Sequence, residues 1–286
     1  MAEGRIETNG VRLWYEEIGP ATGPPVLLVM GAGASAIWWP PEVVERLVRA
    51  GFRVIRFDNR DIGLSTHLPA DAPDYTLEDM VGDTLGLLDG VGIESAHLAG
   101  VSLGGMMIQA LALQHPERAR SLCLISSTPG PDDRLSRPAE QLLAFFETPA
   151  DPDPIEQEVR IGRAFAGTRF PLDEVAYRKL LVADRTRGTN PNNKQGPALR
   201  SAPSRLEALE RLRLPTLVVH GTEDPVFPYD HAEALARAIP SARLVPWKGV
   251  GHEMPQQLMP ELGDLLVEHI RLAERTWQQR AKTTSR

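Results

Sequence analysis

The chain has 286 residues, 42% of them hydrophobic, with 31 Lys and Arg against 38 Asp and Glu for a net charge of −7. That length suits one large α/β domain carrying an insertion, and the acidic balance argues against nucleic acid or an anionic membrane as a partner. The single cysteine, Cys123, excludes an internal disulfide and a cysteine-based metal site.

No apolar run has the length of a membrane span, and residues 1–10 are polar and acidic rather than a secretory leader, so a cytoplasmic protein is expected. Residues 5–17 alternate apolar and polar around Asn9-Gly10, which predicts a hairpin. After Gly23-Pro24-Pro25, the run Val26-Leu27-Leu28-Val29-Met30 is apolar without alternation and reads as a strand buried on both faces, as in a parallel sheet. Gly31-Ala32-Gly33-Ala34-Ser35 forms a loop, and a helix is expected over 42–50. A second buried strand, 53–57, runs into Asp58-Asn59-Arg60-Asp61-Ile62-Gly63-Leu64-Ser65, and a helix over 76–90 leads to a strand at 95–99.

There the chain reads Gly100-Val101-Ser102-Leu103-Gly104. A serine between a strand and a helix, with glycines two before and two after, marks a sharp turn that a Cβ at either glycine would obstruct. The turn pushes the hydroxyl outward and aims the first free helical N–H groups at whatever it attacks, so Ser102 is a candidate nucleophile. The helix over 103–113 is apolar nearly all round and should be buried; it stops before Pro116, and a strand follows at 121–126 with Cys123 inside it, buried and inert. Strand and helix alternate to this point, the signature of crossovers on a parallel sheet.

From 129 to 203 strand-like runs vanish, prolines and charges multiply, and helices are expected near 139–146, 155–165 and 172–183, with a loop over 188–196. The section reads as a helical insertion capping the sheet, giving a core of residues 1–129 and 206–286 and a cap of 130–205. The sheet resumes with a strand at 216–220, followed by Gly221-Thr222-Glu223-Asp224-Pro225-Val226-Phe227-Pro228, a helix over 230–238, a strand at 243–246, the loop containing Gly249-Val250-Gly251-His252, and an amphipathic helix over 260–278. The tail from Lys282 is expected to fray.

A serine hydroxyl needs a base to take its proton and a carboxylate to hold that base in the right tautomer. Working residues of open parallel sheets gather at the carboxyl ends of strands. Among seven histidines, His252 alone lies in a glycine-flanked loop after the last strand. His97 falls within a strand, His115, His231 and His269 on helices, His220 among core-like neighbours, and His67 in a loop with no partner in view. Asp224 follows the penultimate strand by a short turn and is the candidate acid, with Glu223 as its rival; Pro225 favours Asp224 by fixing the turn around it.

The order nucleophile, acid, base, with an insertion before the acid and the serine turn, resembles the α/β-hydrolase family over nearly the whole chain. The resemblance implies a mostly parallel sheet with helices on both faces, Ser102 as nucleophile, Asp224 as orienting acid and His252 as general base. It also implies an oxyanion hole made by the amides of Leu103 and Ala32, although many members carry His-Gly where this chain has Met30-Gly31. The segment Asp58-x-Arg60-x-x-Gly63-x-Ser65 looks like a family segment that braces loops. Leu27-Leu28-Val29-Met30-Gly31, Trp39-Pro40 and Arg60-Asp61-x-Gly63-x-Ser65 look like the branch that holds aclacinomycin methylesterase, which removes a methyl ester from a bulky polyketide. Serine at the turn, rather than aspartate, argues against the alkyl-enzyme route of dehalogenases and epoxide hydrolases. Met30, Trp38, Trp39 and Phe227 border the site, where they line an acyl pocket or pack between loop and cap.

A rival reading takes Gly31-Ala32-Gly33-Ala34-Ser35-Ala36 as a dinucleotide fingerprint, with Asp58 closing the next strand. Pro40-Pro41 would then fall in the second turn of its helix at about 3 kcal/mol each, and the early hairpin has no place in such a fold. The expected activity is hydrolysis of a small-molecule carboxylic ester, a methyl ester among them, through an acyl-enzyme, with no metal and no cofactor. Carbon–carbon, lactone or perhydrolytic chemistry on the same residues, or a non-catalytic ligand-binding protein, are the alternatives, and a homodimer is left open.

Overall fold

Asn9 (φ 47°) and Gly10 (φ 75°) supply the two left-handed residues that a tight hairpin needs, joining β1 (Ala2–Thr8) to β2 (Val11–Ile18) in an antiparallel pair. The chain then alternates through β3 (Pro25–Val29), α1 (Pro41–Arg49), β4 (Arg53–Phe57), α2 (Leu77–Gly90), β5 (Ala96–Val101), α3 (Leu103–Gln114) and β6 (Ala119–Ile125). Five helices follow: α4 (Glu140–Phe146), α5 (Pro154–Phe165), α6 (Glu174–Arg187), α7 (Gln195–Ser201) and α8 (Leu206–Leu209). The sheet is completed by β7 (Thr216–Gly221), α9 (Asp230–Ala238) and β8 (Ala242–Trp247), and α10 (Met259–Thr284) is the last element of the described residues. This computed structural model describes residues 1–284.

The eight strands lie in the order β1-β2-β4-β3-β5-β6-β7-β8. The β1–β2 and β2–β4 pairs are antiparallel and every later neighbour is parallel. The uninterrupted apolar run of β3 has a direct cause: Leu27 and Val29 join the core on the side of α2 and α3, with Leu87, Met106 and Leu111. Val26 and Leu28 join the core on the side of α1 and α10, with Leu47, Leu266 and Ile270. Residues two apart share a face, so β3, covered on both sides, is apolar at every position along the run. Each such Leu or Val contributes about 1.5–3 kcal/mol by leaving water.

Helix α2 starts at a capping box in which the Thr76 hydroxyl accepts from Asp79 N–H at 3.2 Å and the Asp79 carboxylate accepts from Thr76 N–H at 2.8 Å. Helix α3 is buried from Leu103 to Ala112, which accounts for its lack of a polar face. Cys123 lies buried in β6, and burial pushes its thiol pKa up, so it stays protonated.

Two helices differ from the sequence expectation. The loop expected to run to Gly196 ends early, because α7 begins at Gln195, and α8 was not anticipated. The Gly196-Pro197 pair reads as a loop signal, but within the first turn of a helix the missing proline N–H costs no hydrogen bond. The helix expected over 172–183 starts at Glu174, where Asp173 caps it at 3.0 Å. Fraying was expected from Lys282; α10 continues to Thr284, and residues 285 and 286 lie outside the described residues.

His269 on α10 is buried with its Nε2 unpartnered. Burial, reinforced by His97 and Arg243, lowers its pKa from 6.5 to about 4. An imidazole that is harder to protonate in the folded chain than in the unfolded one stabilises fully above pH 6.5, and that contribution is lost as pH falls towards 4. The loss is roughly 3 kcal/mol at most. Thermal melts should therefore drop between neutral pH and about pH 4, and drop less in His269→Gln; equal slopes in the two proteins would assign the acid sensitivity elsewhere.

Candidate active site

Ser102 joins β5 directly to α3 with φ 52° and ψ −118°, a left-handed conformation that non-glycine residues rarely adopt. Its N–H donates to the Ile125 carbonyl at 2.9 Å, and its carbonyl accepts from Met106 N–H at 3.2 Å and from the Ser127 hydroxyl at 2.8 Å, so the turn is held from three directions. The flanking glycines are required by space. A Cβ on Gly100 would lie 2.4 Å from the Gly104 carbonyl oxygen, and one on Gly104 would lie 2.2 Å from that of Val29.

Three side chains distant in sequence meet here. Ser102 Oγ lies 3.1 Å from His252 Nε2, and His252 Nδ1 lies 2.7 Å from Asp224 Oδ2. An ionised carboxylate only accepts, so Nδ1 carries the proton and Nε2 is left to accept from the serine hydroxyl. Asp224 is buried after β7. Its Oδ1 accepts from the Val226 and Phe227 amides at 2.8 and 2.9 Å, and its Oδ2 also lies 3.2 Å from His220 Nε2. Burial by itself would push this carboxyl up, but the imidazoles of His252 and His220 outweigh it and hold Asp224 well below the usual carboxylate range. The His252 ring is met edge-on by Phe165 at 5.4 Å and Phe227 at 5.5 Å, which confines it to one orientation.

The loop of His252 is also pressed by the chain leaving α5. His252 N–H donates to the Phe165 carbonyl at 2.8 Å, and Arg169 N–H donates to that of Gly249 at 2.8 Å. The approach is close enough that a Cβ on Gly251 would lie 2.0 Å from the Phe165 oxygen. Glu223, the rival acid, turns the other way: its carboxylate accepts from the Thr168 amide at 2.8 Å and the Thr168 hydroxyl at 2.9 Å.

Beside Ser102, the loop after β3 passes so near that a Cβ on Gly31 would lie 3.2 Å from the Ser102 Cβ. The Ala32 amide on that loop and the Leu103 amide at the start of α3 donate to no acceptor among the described residues. Asp58 braces the same loop from below. Its Oδ1 accepts from Ala36 N–H at 2.8 Å, while its Oδ2 accepts from Leu64 N–H at 2.9 Å and from Arg187 Nη2 at 2.8 Å. Arg60 is tied to Asp83 by two bonds of 2.6 Å, and the Ser65 hydroxyl donates to the Asp58 carbonyl.

The four aromatic and thioether residues divide. Phe227 lies against the His252 ring, and the half-buried Trp38 meets Tyr177 of α6 edge-on at 5.4 Å. Trp39 is 0% exposed and Met30 3% exposed, both within the core beside α1 and α10. Of the two roles expected for them, lining a pocket or packing, the burial of these two side chains favours packing. His220 was missed as a site residue because its neighbours Leu217, Val218 and Val219 read as core. Its place at the carboxyl end of β7, four residues before Asp224, was the available signal.

A family model for the alpha/beta hydrolase fold matches residues 24–255. The chain belongs to the alpha/beta hydrolase family. Among its alpha/beta hydrolase relatives, the rhodomycin D methylesterase of Streptomyces peucetius is 32% identical, in an alignment that covers 96% of this chain and 99% of that protein. The rhodomycin D methylesterase of Streptomyces sp. strain C5 is likewise 32% identical with the same coverage. The structure of a meta-cleavage product hydrolase from Pseudomonas fluorescens superposes with a TM-score of 0.77 at 25% identity, covering 94% of this chain and 98% of that one. As in other alpha/beta hydrolases, helices lie on both faces of a mostly parallel sheet.

Proposed function

We propose that the protein hydrolyses a carboxylic ester, with a methyl ester as the favoured class, through an acyl-enzyme on Ser102. The observation that carries this is the continuous row Ser102 Oγ, His252 Nε2, His252 Nδ1, Asp224 Oδ2, with its two gaps of 3.1 and 2.7 Å. Kinship over nearly full length with two methylesterases supports the ester and the small alcohol.

In the first half-reaction His252 Nε2 takes the hydroxyl proton as Ser102 Oγ bonds to the carbonyl carbon. The carbonyl oxygen becomes an oxyanion held by the Ala32 and Leu103 amides, each contributing about 3 kcal/mol to the transition state. Collapse breaks the carbon–oxygen bond to the alcohol, which leaves with the proton from His252. Water then gives its proton to His252 and attacks the acyl carbon. Ser102 Oγ departs, regains the proton, and the carboxylic acid is released. Asp224 stays ionised throughout and keeps the imidazole in the tautomer that accepts from serine. Residues 130–205 act as a lid over this site, and the contacts of Phe165 with His252 and of Trp38 with Tyr177 support that division.

A panel of methyl and p-nitrophenyl esters graded by acyl size tests the proposal, with meta-cleavage products and a lactone included. Methyl esters of larger acids should give acid and methanol in equal amounts. Turnover confined to the carbon–carbon or lactone substrates would overturn ester hydrolysis while leaving Ser102 in place.

A further inference from the structure

The loop that carries the Ala32 amide is held largely by residues from the helical section between β6 and β7. Gly33 N–H donates to Gln195 Oε1 at 2.9 Å, and Gln195 Nε2 donates to the Arg60 carbonyl at 2.8 Å. The Gln195 side chain is 0% exposed, and both ends of its amide are used. Two residues along the loop, Ser35 gives its N–H to Asp184 at 3.3 Å and its hydroxyl to the same carboxylate oxygen. Arg187, on the same helix as Asp184, reaches the Asp58 that holds Ala36.

Gly33 has φ +77°, and a Cβ there would meet nothing within 4 Å. Side-chain packing therefore does not hold this residue, and glycine itself adopts either sign of φ freely. The bond to Gln195 fixes the peptide between Ala32 and Gly33, the one directly after the Gly31–Ala32 peptide that carries the Ala32 N–H. A buried primary amide is a costly way to fill space, since it must leave water and find partners at both ends. An apolar side chain would pack there more cheaply, which marks orientation of the loop as the reason for glutamine.

We propose that Gln195 is a positioning residue for the oxyanion hole, holding the Ala32 amide in line with that of Leu103, so that the helical section completes the catalytic geometry. The inference rests on the acyl-enzyme reading of Ser102. Because Gln195 and Asp184 lie in the helical section, displacement of that section frees the loop just after Ala32, and the hole is complete only when the section is seated.

Gln195→Met keeps the length and removes both hydrogen bonds. Active sites are counted by fluorophosphonate titration of Ser102, and kcat is expressed per titrated site. A misaligned oxyanion donor is expected to lower kcat about 10- to 100-fold, with KM within about threefold, because the donor acts on the transition state rather than the bound ester. Gln195→Glu keeps the acceptor for Gly33 but sets a second acceptor against the Arg60 carbonyl, so it should recover only part of the loss. A residue needed only for folding would lower the titratable fraction and leave kcat per site unchanged, and that result overturns the proposal. If Gln195→Met does not fold, Gln195→Asn, one methylene too short to span both partners, is read by the same two outcomes. A wild-type protein that neither titrates nor turns over an ester would instead remove the acyl-enzyme reading itself, and the role of Gln195 with it.

Discussion

Ser102→Ala is expected to abolish ester turnover, with kcat falling by about 10⁶ as in other enzymes that lose a triad nucleophile. The substitution removes one oxygen from a half-buried side chain and leaves the Cβ, so the left-handed φ of 52° is no harder to adopt than before. The bonds that hold the turn use the backbone of residue 102 and survive intact. What disappears is the 3.1 Å contact with His252 Nε2, a loss of about 0.5–1.5 kcal/mol of stability. The melting temperature should therefore shift by only a few degrees while turnover vanishes. Activity above one thousandth of wild type in a purified sample would mean that water or another group attacks the ester.

Asp224→Asn should cost about 10⁴ in kcat, and the structure specifies how. The Val226 and Phe227 amides both donate to Oδ1, so the asparagine oxygen must stay there and its NH₂ must replace Oδ2. That group then faces His252 Nδ1 and His220 Nε2, at positions now 2.7 and 3.2 Å from an acceptor. Two donors cannot bond to each other, so His252 must move its proton to Nε2 and lose its capacity to accept from Ser102. His220 Nε2 also donates to the Phe227 carbonyl at 2.8 Å, and its Nδ1 has no partner, so it cannot change tautomer without orphaning that carbonyl. A stability loss of about 1–3 kcal/mol should accompany the kinetic one. A kcat within tenfold of wild type would point to a different acid, although Glu223 is already engaged by Thr168.

The centre of the sheet was readable because β3 to β7 are largely buried on both faces, and a run such as residues 26–30 can satisfy that demand in only one way. The meeting of Ser102, Asp224 and His252 was readable because loops at strand ends carry few residues with proton chemistry. The helical section was readable only as a class. Its helices pack with one face and expose the other, and neither Gly196-Pro197 nor Asp184 carries a local sign of the loop that it meets. Gln195 and Asp184 act across more than 140 positions of chain, where spacing holds no information. Trp39 lay beside the site in sequence, yet the 3₁₀ turn over Ala36–Trp38 precedes it and its ring ends in the core, which adjacency alone does not foretell.

The close seating of residues 165–169 on Gly249, Gly251 and Glu223 limits how this enzyme can be re-engineered. Swapping in the helical section of another member to change substrate range would import a foreign junction where the backbones nearly touch, at glycines that tolerate no added bulk. A chimera that transplants only the outer helices and retains the native junction would keep the His252 imidazole aimed as it is. One cut at the obvious boundaries of the insertion would inherit a new pocket and a displaced imidazole together.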